Sequence, residues 1–152
     1  MVMNNKLIIG LAALGAAALY YLQGKKQAFE NLTFTPLDIA INSAKTNFRR
    51  LVFNFKIKIG NPSPVNVKIN NIDFDIFVNG RKVSEFQKTN FTTIAANDTG
   101  VIILEISIGN FEIIDAIFAA IADNGKIKVQ IAGIIETDLG VASIDYNKTI
   151  NV

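Results

Sequence analysis

Residues 7 to 22, LIIGLAALGAAALYYL, contain no charged side chain, and the sequence beyond them reads as short β-strands. This contrast divides the chain into an apolar leader, residues 1–26, and a water-facing domain, residues 27–152. No later feature constrains the architecture as strongly.

The leader is read as a single transmembrane helix. A bilayer core about 30 Å thick needs about 20 helical residues, and the uncharged run alone gives roughly 24 Å. Tyr20 and Tyr21 suit the lipid–water interface, and Lys6, Lys25 and Lys26 can snorkel to headgroups. A span from about residue 6 to 24 is thus feasible, with Leu7, Gly10, Ala13, Ala17, Tyr20 and Tyr21 as anchor residues. Gly10, Ala13 and Ala17 share one helical face, and small faces let helices approach closely in lipid. A cleaved signal peptide is the alternative. Against it, Ala16-Ala17-Ala18 runs into bulky Tyr20-Tyr21-Leu22. Lysines on both flanks leave the orientation open.

The chain has no Cys and no His, which excludes disulfides, thiol nucleophiles, Cys/His zinc sites and histidine acid–base catalysis. No acidic residue precedes Glu30. Setting aside the three leader lysines leaves 12 basic against 13 acidic residues. A near-neutral domain without a basic stripe is a poor nucleic-acid binder.

Within the domain, Leu51, Phe53, Phe55, Ile57 and Ile59 alternate with Val52, Asn54, Lys56 and Lys58, the period of a half-buried strand. Leu32, Phe34, Ile39 and Ile41 suggest an earlier strand bent at Pro36. Ile72, Phe74, Ile76 and Val78 form another. Asn79-Gly80 then supplies the positive-φ pair of a type I′ hairpin, with a return strand from Arg81 to about Thr89. Asn97-Asp98-Thr99-Gly100 marks the next turn. The nearly continuous apolar run from 101 to 108 is expected to be a central strand. Ile113, Ile114, Ile117, Phe118 and Ile121 then have helical spacing over about 111 to 123. Asn110 is the N-cap and Gly125 the stop, and the helix is expected to lie over one end of the core. Strands at about 126–136 and 139–151 complete the domain, and residues 23 to 30 read as a linker. The fold class expected is all-β: an antiparallel sandwich with one inserted short helix.

A strand ending in Asn61-Pro62-Ser63-Pro64 leads through Val65, Val67 and Ile69 to Ile72-x-Phe74-x-Ile76-x-Val78 and Asn79-Gly80. Val83, Ile94-Ala95-Ala96, Gly100, a second apolar strand, the helix, Gly133 and Leu139-Gly140 follow. Over roughly residues 30 to 150 this resembles the late embryogenesis abundant group-two domain, also called the water-stress and hypersensitive-response domain. The most specific parts are the turn residues Asn61, Pro62 and Pro64 and the hairpin residues Asn79 and Gly80. The resemblance implies a fibronectin-III/immunoglobulin-like sandwich, often behind a membrane anchor, with no enzymatic activity and a role in stress or desiccation protection.

The remaining constellations read as ordinary surface chemistry. Asp73 and Asp75 share a strand face, with Lys56, Lys58 and Lys68 on nearby strands, and read as cross-strand ion pairs or solvated charges. Glu136, Asp138 and Asp145 lack metal-ligand spacing. Ser43–Lys45 has no supporting motif. Arg49-Arg50 and Lys25-Lys26 can touch anionic lipid. No cofactor, metal, nucleic acid or small-molecule substrate is expected. The partners expected are the bilayer and proteins met through the transmembrane helix or the sandwich surface. The function expected is structural or protective, in a single-pass protein of a cell envelope or virion membrane. The alternatives are an architectural part of a large assembly, such as a membrane-containing virion, and a secreted binding module.

Overall fold

The computed structural model describes residue 23 and residues 26–151. The leader residues Leu7, Gly10, Ala13, Ala17, Tyr20 and Tyr21 lie outside the described residues. Among the described residues no helix is long and apolar enough to cross a membrane.

The described chain is mostly antiparallel strand. The elements are β1 (Thr33–Ile41), β2 (Leu51–Asn61), β3 (Val67–Val78), β4 (Arg81–Ile94), β5 (Asp98–Ile108), α1 (Phe111–Asn124), β6 (Lys126–Thr137) and β7 (Val141–Asn151). They form a three-stranded sheet ordered β1-β2-β5 and a four-stranded sheet ordered β4-β3-β6-β7. The period-two pattern of β2 turns Phe53, Phe55, Ile57 and Ile59 inward, while Lys56 and Lys58 face out. From the other sheet, Ile72, Phe74, Ile76, Val129 and Ile131 complete one shared core. The Phe55 ring meets Phe74 edge-on at 5.9 Å between centroids and stacks on Tyr146 at 6.0 Å. Those contacts join the two sheets.

In β1 the register against β2 shifts between Pro36 and Asp38. The inward set changes there from Phe34 to Ile39 and Ile41, so the bend expected at Pro36 is a bulge that swaps faces. Asn79 and Gly80 have φ of 51° and 82° and close the β3–β4 hairpin. At Gly133 the backbones of β6 and β3 come very close: a Cβ would stand 2.0 Å from the Asp73 carbonyl oxygen. Only glycine fits there. Helix α1 starts at its expected cap, where Asn110 Oδ1 accepts from the Ile113 N–H at 3.3 Å. It ends at Gly125, with φ 67°. Its buried residues Ile114 and Ile117 join the core at the hairpin end, where Ile113 and Ile117 line a cleft with Val78 and Val83.

Three local expectations are corrected. The run from 101 to 108 is not central, because β5 is an edge strand that pairs only with β2. Ile102, Leu104, Ile106 and Ile108 point inward, but Val101 and Ile103 remain 56% and 55% exposed on the outward face. Strand β4 continues to Ile94, so the turn falls at Ala95–Asn97, one step before the expected one. Residues 23 to 30 are not merely a linker. Residues 26–31 are helical. Ala28 and Leu32 are buried, and the Phe29 ring lies directly over Gly140.

Candidate functional site

The end of the domain at which residues 26–31 dock is built from five chain segments. These are the start of β1, the end of β2, the start of β3, the β4–β5 turn and the β6–β7 turn. Their convergence follows from register: Thr33 pairs with Gly60, Gly60 with Thr99, Val67 with Ile94, and Ile69 with Thr137.

At its centre stands Asn61, 1% exposed. Its Nδ2 donates to the carbonyl oxygens of Val65 at 2.8 Å, Ala95 at 3.1 Å and Ile94 at 3.3 Å. Its Oδ1 accepts from the Ser63 hydroxyl at 2.7 Å and the Ser63 N–H at 3.2 Å. An amide carries both donors and an acceptor on one short stem, so one side chain ties three segments together. Pro62 and Pro64 are exposed and have no N–H to leave unpaired in the bend. Ser63, between them, is buried; its backbone carbonyl accepts from the Asn97 N–H at 2.9 Å. Asn66 Oδ1 accepts from the Ala96 N–H at 2.9 Å.

The β6–β7 turn is closed the same way. Thr137 Oγ1 accepts from the N–H groups of Leu139 and Gly140. The Asp138 N–H donates to the Lys68 carbonyl while its carboxylate accepts from the Lys68 N–H, both at 3.0 Å. Among the described residues no buried side-chain nitrogen or oxygen lacks a partner. A fully satisfied polar end is a rigid one.

Asn79 is at the opposite end, where its N–H donates to the Lys128 carbonyl and its Oδ1 accepts from the Lys128 N–H. The structure therefore separates Asn61, Pro62 and Pro64 from Asn79 and Gly80. Sequence reasoning singled out Asn61 and named Ser63 and Gly140 in the motif around it, but gave those two no role at this end and missed Phe29. A polar residue held between two prolines was the available signal for Ser63. Nothing local marks Phe29, because its partner lies more than a hundred residues away.

Asp75, Asp138 and Asp145 have local partners. Lys82 Nζ bridges Glu85 at 2.6 Å and Asp75 at 3.1 Å. Those two carboxylates, Glu85 first, hold the lysine above its usual pKa. Lys56 and Lys58, expected near Asp73 and Asp75, instead face outward from the other sheet. Asp145 accepts from Gln130 Nε2 at 2.9 Å. Among the described residues no cluster of three or more His, Cys, Asp or Glu side chains suits a metal. Lys45, expected without a role beside Ser43, donates to Glu105 at 2.6 Å. Arg50 reaches the same carboxylate at 3.3 Å, and the Lys45 hydrogen bond chiefly depresses the Glu105 pKa.

A family model described as late embryogenesis abundant protein matches residues 56–150. No curated protein matches the chain. A solution structure assigned to the late embryogenesis abundant group is similar, with 13% identity, 94% of this chain and 88% of that chain covered, and TM-score 0.63. An Arabidopsis thaliana protein in solution shares 16% identity over 78% of this chain and 80% of its own, with TM-score 0.58. A crystal structure of an Archaeoglobus fulgidus protein shares 16% identity over 78% of this chain and 96% of its own, with TM-score 0.56. At such identities the likeness bears on fold alone.

Proposed function

This chain belongs to the late embryogenesis abundant family, and from that premise we propose a non-enzymatic, stress-protective structural protein held at a membrane surface by its leader. The family supports a stress-related structural role. The finer fold assignment is a fibronectin-III/immunoglobulin-like sandwich. Its support is the order β1-β2-β5 against β4-β3-β6-β7 over one core, with α1 inserted between β5 and β6.

The observation that carries the tethered reading is the docking of residues 26–31. The chain leaving the uncharged run does not enter a loose spacer: Ala28 and Leu32 are buried and Phe29 covers Gly140. A leader in lipid would thus hold the polar end of the domain against the bilayer. The mechanism is placement, with a rigid domain covering the headgroup region, and no bond is made or broken.

Flotation tests this. The full chain is expected to float with phosphatidylcholine vesicles and to resist alkaline extraction, and Ala13→Lys is expected to release it. Vesicles dried and rehydrated with the chain are expected to retain more trapped dye than vesicles carrying the Ala13→Lys variant. Recovery of the chain in the aqueous fraction, or equal dye loss, would reject the reading. Recovery at fixed stoichiometry in a particle would favour an assembly component instead.

A further inference from the structure

We propose that the outward face of the three-stranded sheet is a docking surface for anionic lipid headgroups, so that the domain lies on the leaflet that tethers it. The inference rests on the tethered reading for its geometry, and on the face itself for its chemistry.

Cross-strand rows define the face. Thr35, Lys58 and Val101 form one row, and Asp38, Lys56 and Ile103 the next. Val101 and Ile103 are two β-branched aliphatics more than half exposed on an edge strand. Leu37, at the β1 bulge on the other side of β2, is 44% exposed. Of the three carboxylates within these strands, two are ion-paired. Asp38 pairs with Lys148, and Glu105 pairs with Lys45 and Arg50. Asp98, at the rim, accepts from the Thr99 N–H. Lys56 and Lys58 are exposed and have no ion-pair partner within 4.0 Å among the described residues. Two ammonium groups without a close ion pair, Lys56 acting on Asp38 across the strands only at longer range, stand beside exposed aliphatics and complement an anionic headgroup layer, with apolar groups at the acyl boundary and charges at the phosphates.

The opposite sheet leans only slightly the other way. Its outward face carries Asp73, Asp75, Glu85, Glu136 and Asp145 against Lys68, Lys82, Lys126 and Lys128, and Lys82 already bridges Asp75 and Glu85, so it offers no cationic surplus to an anionic leaflet. Position favours the basic face as well. Thr35 is two residues beyond the start of β1, about 7 Å along the strand from where the tether enters. The patch therefore borders the tethered end, and a tilt of the domain brings it onto the headgroups.

The chain has no cysteine, so one introduced thiol reports one site. Thr99→Cys places an environment-sensitive dye on the proposed face, and Ser143→Cys places it on the other. The full chain is reconstituted in phosphatidylcholine vesicles with or without phosphatidylserine. The dye at position 99 is expected to shift to the blue only with phosphatidylserine and to return in high salt, while the dye at 143 stays unchanged. Each unmatched lysine contributes on the order of fivefold to the bound population. Lys56→Gln with Lys58→Gln is therefore expected to reduce that population about twentyfold or more, with an unchanged circular dichroism spectrum. Equal response of both dyes, indifference to phosphatidylserine, or indifference to the lysine changes would overturn the proposal. A shift that appears only at high protein density, with cross-linking between copies, would overturn it in favour of a second copy of this chain. Failure to float with neutral vesicles would remove the tether alone. Flotation with phosphatidylserine vesicles that the lysine changes abolish would still support the face, and flotation they leave intact would still overturn it.

Discussion

The two ends of the domain close the same core by opposite means. At the end where residues 26–31 dock, Asn61, Ser63, Thr137 and Asp138 satisfy backbone groups with side-chain hydrogen bonds. At the other end α1 covers the core with Ile114 and Ile117, and the Phe118 ring meets Phe48 at 6.3 Å. Hydrogen bonds have direction, so the polar end fixes one arrangement of its loops. Apolar contacts do not, so the helical end tolerates adjustment. The rigid closure is the end on which residues 26–31 dock.

Asn61→Asp should break this contrast most severely. A carboxylate there would face three carbonyl oxygens in a buried site, at a cost of about 3–5 kcal/mol. Burial would raise the new carboxyl's folded pKa above its unfolded value. The deficit should therefore be smallest below about pH 4 and grow as pH rises. Urea denaturation at several pH values measures both. Ile114→Ala tests the other end. It should cost about 2–4 kcal/mol through lost burial and a residual cavity, with no comparable pH dependence. A steeper pH dependence at Ile114 than at Asn61 would show that the contrast is misdrawn.

Gly140→Ala separates docking of residues 26–31 from closure of the core. The new methyl would meet the Phe29 ring at 3.0 Å. Faster amide hydrogen exchange at Ala28 and Phe29 is expected, with global stability lowered by less than about 1 kcal/mol. Loss of global cooperativity instead would make residues 26–31 part of the core.

Asp38→Asn should have the smallest effect. The Lys148 hydrogen bond holds the Asp38 carboxyl below its usual pKa, partly offset by desolvation. Its contribution is therefore present above the unfolded pKa and is lost as pH falls through the lower folded one. The pair is partly exposed, so the variant should lose at most a few tenths of a kcal/mol near neutral pH. The difference from the parent should shrink as pH falls through the lowered folded pKa.

Features written in neighbouring residues were legible in the sequence. The alternation of β2, the Asn79-Gly80 turn and the caps at Asn110 and Gly125 each depend on a few adjacent side chains. Features set by distant pairing were not. An apolar run such as 101–108 is compatible with burial on one face or two, and only the sheet order distinguishes them. Lys56 and Lys58 read as partners for Asp73 and Asp75 because sequence does not say which sheet a strand joins. Of the polar end, the place of Asn61 in a turn with Pro62 and Pro64 was readable. Its reach to Ile94 and Ala95 was not, since those carbonyls belong to a turn more than thirty residues on.

Residues 26–31 feed straight into β1, and the β1 register against β2 is interrupted at Leu37. Tension arriving through the leader would thus be borne first by Phe29 on Gly140, then by the short ladder from Thr33 to Pro36. Past the bulge, Asp38 pairs with Lys148 on β7, so further peeling would also break a contact to the second sheet. A pull on residues 26–31 would therefore meet β1 in two stretches, the ladder before the bulge first and the one with a contact to β7 after it.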